Sequence, residues 1–149
     1  MEYRNDDIFE SDCEAITNAV NCIGKMGKGL ALQFKKRYPK MFTEYSKECK
    51  LGNLKPGKMH VWINSEEIPK YIINFPTKDD LSPSKIEYIR DGLVALENVI
   101  KKFDIKSIAV PALGCGLGGL SFGQVQSLLV EFSKKLPDDV KLFVYKPQK

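Results

Sequence analysis

The sequence predicts an α/β fold in which helices cover both faces of a mixed central sheet. Three observations carry that expectation. Short β-branched runs alternate with longer stretches whose apolar residues step by three and four. Turn-forming clusters such as LGNLKPGK and GCGLGG separate the two kinds of segment. The 149 residues, 43% hydrophobic and 28% charged, suffice for one domain around one sizeable core, with no repeat or linker to divide them.

In chain order, AITNAV (15–20) reads as a buried strand, and the glycine-bearing NCIGKMGKG leads from it into a helix expected over 30–38. Leu30, Ala31, Phe34 and Tyr38 form the inner stripe of that helix, leaving Lys35, Lys36 and Arg37 outward. Pro39 ends it, and a second short helix is expected over 41–50. MHVWIN and KYIINF follow as strands joined by a polar turn. Ser84 and Glu87 have capping-box spacing, so the longest helix is expected to open at Ser84. Ile86, Ile89, Leu93, Leu96 and Ile100 give that helix one apolar face. SIAVPAL is apolar and β-branched enough for a central strand. Ser121 and Gln124 repeat the capping-box spacing before a stripe of Val125, Leu128, Leu129, Phe132 and Leu136, and KLFVY closes the sheet.

Several function classes drop out on composition. No apolar run reaches membrane-spanning length, and MEYRNDDIFE lacks the basic and apolar regions of a signal peptide, so a cytoplasmic protein with no membrane partner is expected. Cys13, Cys22, Cys49 and Cys115 form no CxxC pair and the one histidine, His60, lies far from them, so four free thiols and no metal site are expected. The net charge is +4, with twenty lysines. That excess favours polyanionic partners and equally describes a solvated lysine-rich surface.

The informative stretches are two glycine loops, each between a strand and a helix. A helix N-terminus offers unpaired amides and a positive dipole end, so a loop stripped of side chains beside it lets phosphate oxygens reach the backbone. Gly114, Gly116, Gly118 and Gly119 are more glycines than one tight turn is expected to need. Gly114, Gly116 and Gly119 also fit GxGxxG, but only one helix and one strand remain after them, which argues against a dinucleotide-binding oxidoreductase. GKMGKG is not a P-loop, because Gly29 rather than a hydroxyl residue follows Lys28. Two such loops suit a ligand with adjacent phosphates, one loop on each side of a pyrophosphate.

Three segments, ITNAVNCIGKMGKGLALQFKKRYPKMFTEY, YIINFPTK and IAVPALGCGLGGL, resemble the macrodomain family, modules that bind ADP-ribose, and within it the branch of ADP-ribosyl hydrolases. The likeness is greatest to the DNA ADP-ribosyl glycohydrolases, antitoxins that remove ADP-ribose from thymine in single-stranded DNA. A sister group removes it from glutamate or aspartate of proteins. The resemblance implies a macrodomain-like three-layer sandwich, ADP-ribose as ligand rather than cofactor, ADP-ribosylated single-stranded DNA as substrate, a toxin partner, and a monomer.

The resemblance also implies roles for particular residues. Asp7, beside Ile8, matches the aspartate that bonds the adenine amino group; a turn-capping aspartate reads the same way. Met26, Gly27 and Gly29 match the distal-ribose side, and Pro111, Gly114, Cys115, Gly116, Leu117 and Gly118 the diphosphate side. Tyr145 can pack on the adenine or stay in the core. Asn21 matches the position facing the scissile bond, where it can assist a departing thymine, and a buried amide holding loop backbone fits equally. Lys78, after NFPT, matches a lysine essential in both groups. As a neutral amine it can attack the ribose anomeric carbon and form a Schiff base; as a cation it can stabilise the leaving group. Where the protein-directed group carries an acid, this chain has Gly118, which favours the DNA substrate and leaves hydrolysis from protein carboxylates, or simple ADP-ribose binding, as alternatives.

Overall fold

The computed structural model describes residues 1–65 and 68–147; Glu66 and Glu67, in the expected polar turn, lie outside the described residues. Among the described residues six strands form one sheet: β1 (Glu2–Arg4), β2 (Ala15–Val20), β3 (His60–Ile63), β4 (Tyr71–Pro76), β5 (Ser107–Val110) and β6 (Lys141–Tyr145), in the order β1-β6-β5-β2-β4-β3. Only the β3–β4 pair is antiparallel, so the sheet is mixed. Four α-helices complete the layers: α1 (Gly29–Arg37), α2 (Pro39–Lys50), α3 (Ile86–Lys102) and α4 (Phe122–Lys135). None is long and apolar enough to cross a membrane among the described residues.

Alternation along the strands builds two cores. Ile16 and Ile72 point to one face, where they meet Phe34 of α1 and Met41 and Tyr45 of α2. Ala15, Ile73, Phe75 and Val110 point to the other, against Ile89 and Leu93 of α3 and Val125 and Leu129 of α4. A strand buried on both faces is apolar along its whole length, which is why AITNAV and YIINFP read as near-continuous runs. The α3–β4 contact depends on Gly92: a Cβ there would lie 2.2 Å from the Phe75 ring. Gly92→Ala would therefore force the helix off the sheet.

Three local expectations are corrected. Pro39 does more than end α1: it is the first residue of α2, a position that needs no N–H, and Tyr38 alone separates the two helices. Ser84 does not cap α3, which begins at Ile86 after Lys85 with no side-chain cap. Its hydroxyl instead donates to the Thr77 carbonyl. Third, β1 is an added strand, three residues long, paired parallel to β6 at the sheet edge. At α4 the cap is real: Ser121 Oγ accepts the Gln124 N–H at 3.4 Å and donates to Gln124 Oε1 at 3.1 Å. The glutamine reaches the hydroxyl rather than the Ser121 backbone.

Candidate active site

Five strands run parallel, so their C-terminal ends share one edge of the sheet. A cleft of about 1030 Å³ opens along that edge. Ligands of open α/β sheets bind at such ends, beside the point where the chain switches direction. Every residue to which the resemblance assigns a role lines this one cleft, although they come from five separate segments.

Strand order sets the order of groups along the cleft. At one end Asp7 and Ile8 follow β1 and Tyr145 ends β6. In the middle lie Pro111, Gly114, Cys115, Gly116, Leu117 and Gly118 after β5, then Asn21, Met26, Gly27 and Gly29 after β2. Lys78, after β4, lies at the far end. At about 4.8 Å per strand, four intervals make the edge roughly 19 Å long, comparable to an extended nucleoside diphosphate sugar.

The Lys78 end is knitted by backbone bonds. Thr77 and Lys78 both donate to the Val20 carbonyl, at 2.9 and 3.4 Å, and Cys22 donates to the Asp79 carbonyl at 3.2 Å. The loops carrying Asn21 and Lys78 therefore leave the sheet side by side. The side chain of Asn21 is engaged with its own loop: Oδ1 accepts from Ile23 N at 3.1 Å and Lys25 N at 3.3 Å, and Nδ2 donates to the Lys25 carbonyl at 2.9 Å. The Tyr45 hydroxyl, whose pKa burial pushes up, adds its proton from 2.7 Å to the Asn21 carbonyl and 2.9 Å to Oδ1. Asn21 thus shapes the loop, with one amide N–H beyond the bond to Lys25.

The two glycine loops differ. The first opens α1 with Lys28 at the cap position and no side-chain cap, and Gly29, Leu30 and Ala31 line the cleft. Its orphan amides and positive dipole end thus border the cavity. The second loop corrects the glycine argument: Gly114, Gly116 and Gly119 have φ of 74°, 66° and 84°, so conformation alone requires three of the four. Gly118 is pressed against Ser84, whose Cβ would be 3.2 Å from a Cβ there. The N-terminus of α4 is capped by Ser121, and the cleft wall on this side is residues 114–118 instead. The loops do converge, because a Cβ on Gly29 would lie 3.4 Å from Leu117 Cδ1.

Asp7 is both a cap and a wall: Oδ1 accepts the Phe9 N–H at 3.0 Å at the start of a 3-10 turn, Ile8–Glu10, and the exposed carboxylate borders the cavity. Tyr145 is 4% exposed and packed with Ile8, Cys13 and Ile16, so most of its ring belongs to the core. Burial pushes the thiols of Cys115 and Cys22 up, the latter to about 12, so both are protonated thiols near neutral pH. The sequence reading missed Asn5, Asp6, Lys25, Lys28 and Lys146, which also line the cleft. Their signal is position: each lies just past a parallel strand or within the first glycine loop.

A cleft bordered by two side-chain-poor loops at the C-terminal edge of a mixed six-stranded sheet between helical layers is the arrangement of a macrodomain. The chain matches the Macro domain family over residues 17–129 and belongs to it. It is 49% identical to a Mycobacterium tuberculosis protein named DNA ADP-ribosyl glycohydrolase, over 99% of this chain and 42% of that one. It matches the structure of the macrodomain of Mycobacterium tuberculosis DarG with a TM-score of 0.96, covering 99% of this chain and 97% of that chain. The Thermus aquaticus DNA ADP-ribosyl glycohydrolase is 38% identical over 99% of this chain and 41% of its own length. A Thermosipho africanus DNA ADP-ribosyl transferase-DNA ADP-ribosyl glycohydrolase fusion protein is 33% identical over 93% of this chain and 40% of its own length. The structure of Thermosipho africanus DarTG in complex with ADP-ribose matches at a TM-score of 0.88, with 34% identity over 95% of this chain and 40% of that one. The chain spans about two fifths of the length of these curated relatives.

Proposed function

We propose that this macrodomain is a DNA ADP-ribosyl glycohydrolase, which binds ADP-ribose and hydrolyses its N-glycosidic bond to thymine in single-stranded DNA. The observation that carries the reading is the order of groups along the sheet edge: an acidic end, two converging loops, then Lys78 at the end where the distal ribose would lie. Relatives that carry the activity in their names support it. In the reaction water supplies hydroxide to the anomeric carbon and a proton to the departing base. A thymine leaving as its N3 anion needs a general acid less than an alkoxide does, which suits Gly118 in place of a carboxylate. Lys78 serves either as an amine that forms a transient imine or as a cation beside the leaving base. Borohydride traps the first route as a covalent adduct and leaves the second unlabelled.

Lys25 and Lys28 on the cleft wall, with exposed Lys35, Lys36 and Arg37, would attract a strand backbone. The fusion of a transferase with a glycohydrolase in one relative supports a DNA-modifying toxin as partner. The protein would act in the cytoplasm as a monomer, with no metal and no cofactor.

The test measures ADP-ribose release from a modified single-stranded oligonucleotide and from protein modified on glutamate. Wild-type protein is expected to act on the DNA, with Lys78→Ala slowed about 10²-fold or more while calorimetry still detects ADP-ribose binding. Release from protein alone would assign the sister activity, and binding without release from either would leave a reader.

A further inference from the structure

Ser84 is 8% exposed and lies in the turn between β4 and α3, where it caps nothing. Its hydroxyl donates to the Thr77 carbonyl and its N–H donates to the Gly118 carbonyl at 2.9 Å. A Cβ on Gly114 would come within 2.9 Å of Ser84 Oγ, and one on Gly118 within 3.2 Å of Ser84 Cβ. One small side chain thus fills the space between the strand end that carries Lys78 and both ends of the loop 114–118.

The Thr77–Lys78 peptide is held at both of its polar atoms. Ser84 Oγ holds the carbonyl, and the Val20 carbonyl accepts the Lys78 N–H at 3.4 Å. A peptide plane anchored on both sides cannot rotate about its flanking dihedrals, so the direction in which Lys78 leaves the backbone is fixed. Without the hydroxyl, the long bond to Val20 holds the plane alone and a buried carbonyl loses its donor.

We propose that Ser84 is a positioning residue, which fixes the backbone from which the Lys78 side chain reaches out, relative to the loop that grips the diphosphate. This rests on the hydrolase reading above. Ser84→Ala keeps the backbone bond to Gly118, so the ligand loop stays anchored while Lys78 is released. A small misplacement of a reacting group is costly in rate.

The experiment compares wild type, S84A and S84C in release of ADP-ribose from modified single-stranded DNA, with ADP-ribose Kd by calorimetry and folded fraction by circular dichroism. S84A is expected to lose about tenfold in kcat with Kd within about twofold of wild type, and S84C, which is close in size and keeps a weaker donor, to lose less. Should S84A not fold, S84C carries the expectation of a lower kcat at unchanged Kd. Unchanged kcat in the folded variant, or an equal loss in Kd, would overturn the positioning role alone. Wild-type protein without release from DNA would overturn the hydrolase reading and this role with it.

Discussion

Asp7 has two carboxylate oxygens, and the proposed reading gives a separate task to each. One accepts the Phe9 N–H and starts the turn Ile8–Glu10; the other is free to face the cleft. On the proposed reading that second oxygen accepts from the adenine amino group. Asparagine caps as well as aspartate does, so Asp7→Asn keeps the first task. Its capping oxygen, however, directs the amide NH₂ toward the cleft, where a donor would meet the adenine donor. The expected result is a melting temperature within about 1 °C of wild type and ADP-ribose affinity lower by about tenfold, the scale of one hydrogen bond to a charged group. Calorimetry and a thermal melt check both, and unaltered affinity would leave Asp7 as a cap only. Asn21 contrasts with it, because loop amides and Tyr45 already occupy its side-chain oxygen.

At the level of elements, β3 is tied to its neighbours through His60. Its Nδ1 lies 2.9 Å from Asn74 Nδ2, an amide whose hydrogens make the ring nitrogen an acceptor, hence neutral. Burial holds the imidazole below its ordinary value of 6.5, against an upward pull from Glu48 and Glu44. The unfolded chain therefore binds the proton first as pH falls, and stability is lost from about pH 6.5 down to the folded pKa. Urea unfolding at pH 7.5 and 5.5 should show a lower midpoint in acid, and His60→Gln, which can still accept from Asn74, should remove this component of the difference. Elements whose signal is local were legible: β2 and β6 match AITNAV and KLFVY residue for residue. The start of α3 was not, because Ser84 and Glu87 fit a cap locally while the hydroxyl is drawn to Thr77 and the amide to Gly118, more than thirty residues away. The glycine loops were legible as places without side chains, but their φ values belong to turn geometry. Lys78 is one of twenty lysines, and only the resemblance distinguished it. Asn5 was invisible for want of β1, since three residues give no periodicity to read.

For the whole molecule, the proposed reading makes the sheet edge a ruler that grades ligands by length. AMP would span the ends of β1 and β6 and reach the first glycines after β5; ADP would add the loop after β2; ADP-ribose alone would extend to Lys78 after β4. Ligand that binds only the folded state stabilises it by about 2.7 kcal/mol at about 100 times Kd. In a domain of this size each kcal/mol moves the melting temperature by about 2–4 °C, so a saturating ligand gives a shift of several degrees. At one common concentration the shifts should therefore rank ADP-ribose above ADP above AMP. Lys78→Ala should leave the ADP shift unchanged, because ADP ends before β4, and should trim the ADP-ribose shift only slightly. If AMP matched ADP-ribose, binding would be confined to the Asp7 end and the alignment of the distal ribose with Lys78 would fail; if none of the three moved the melt, the cleft would not be an ADP-ribose site at all.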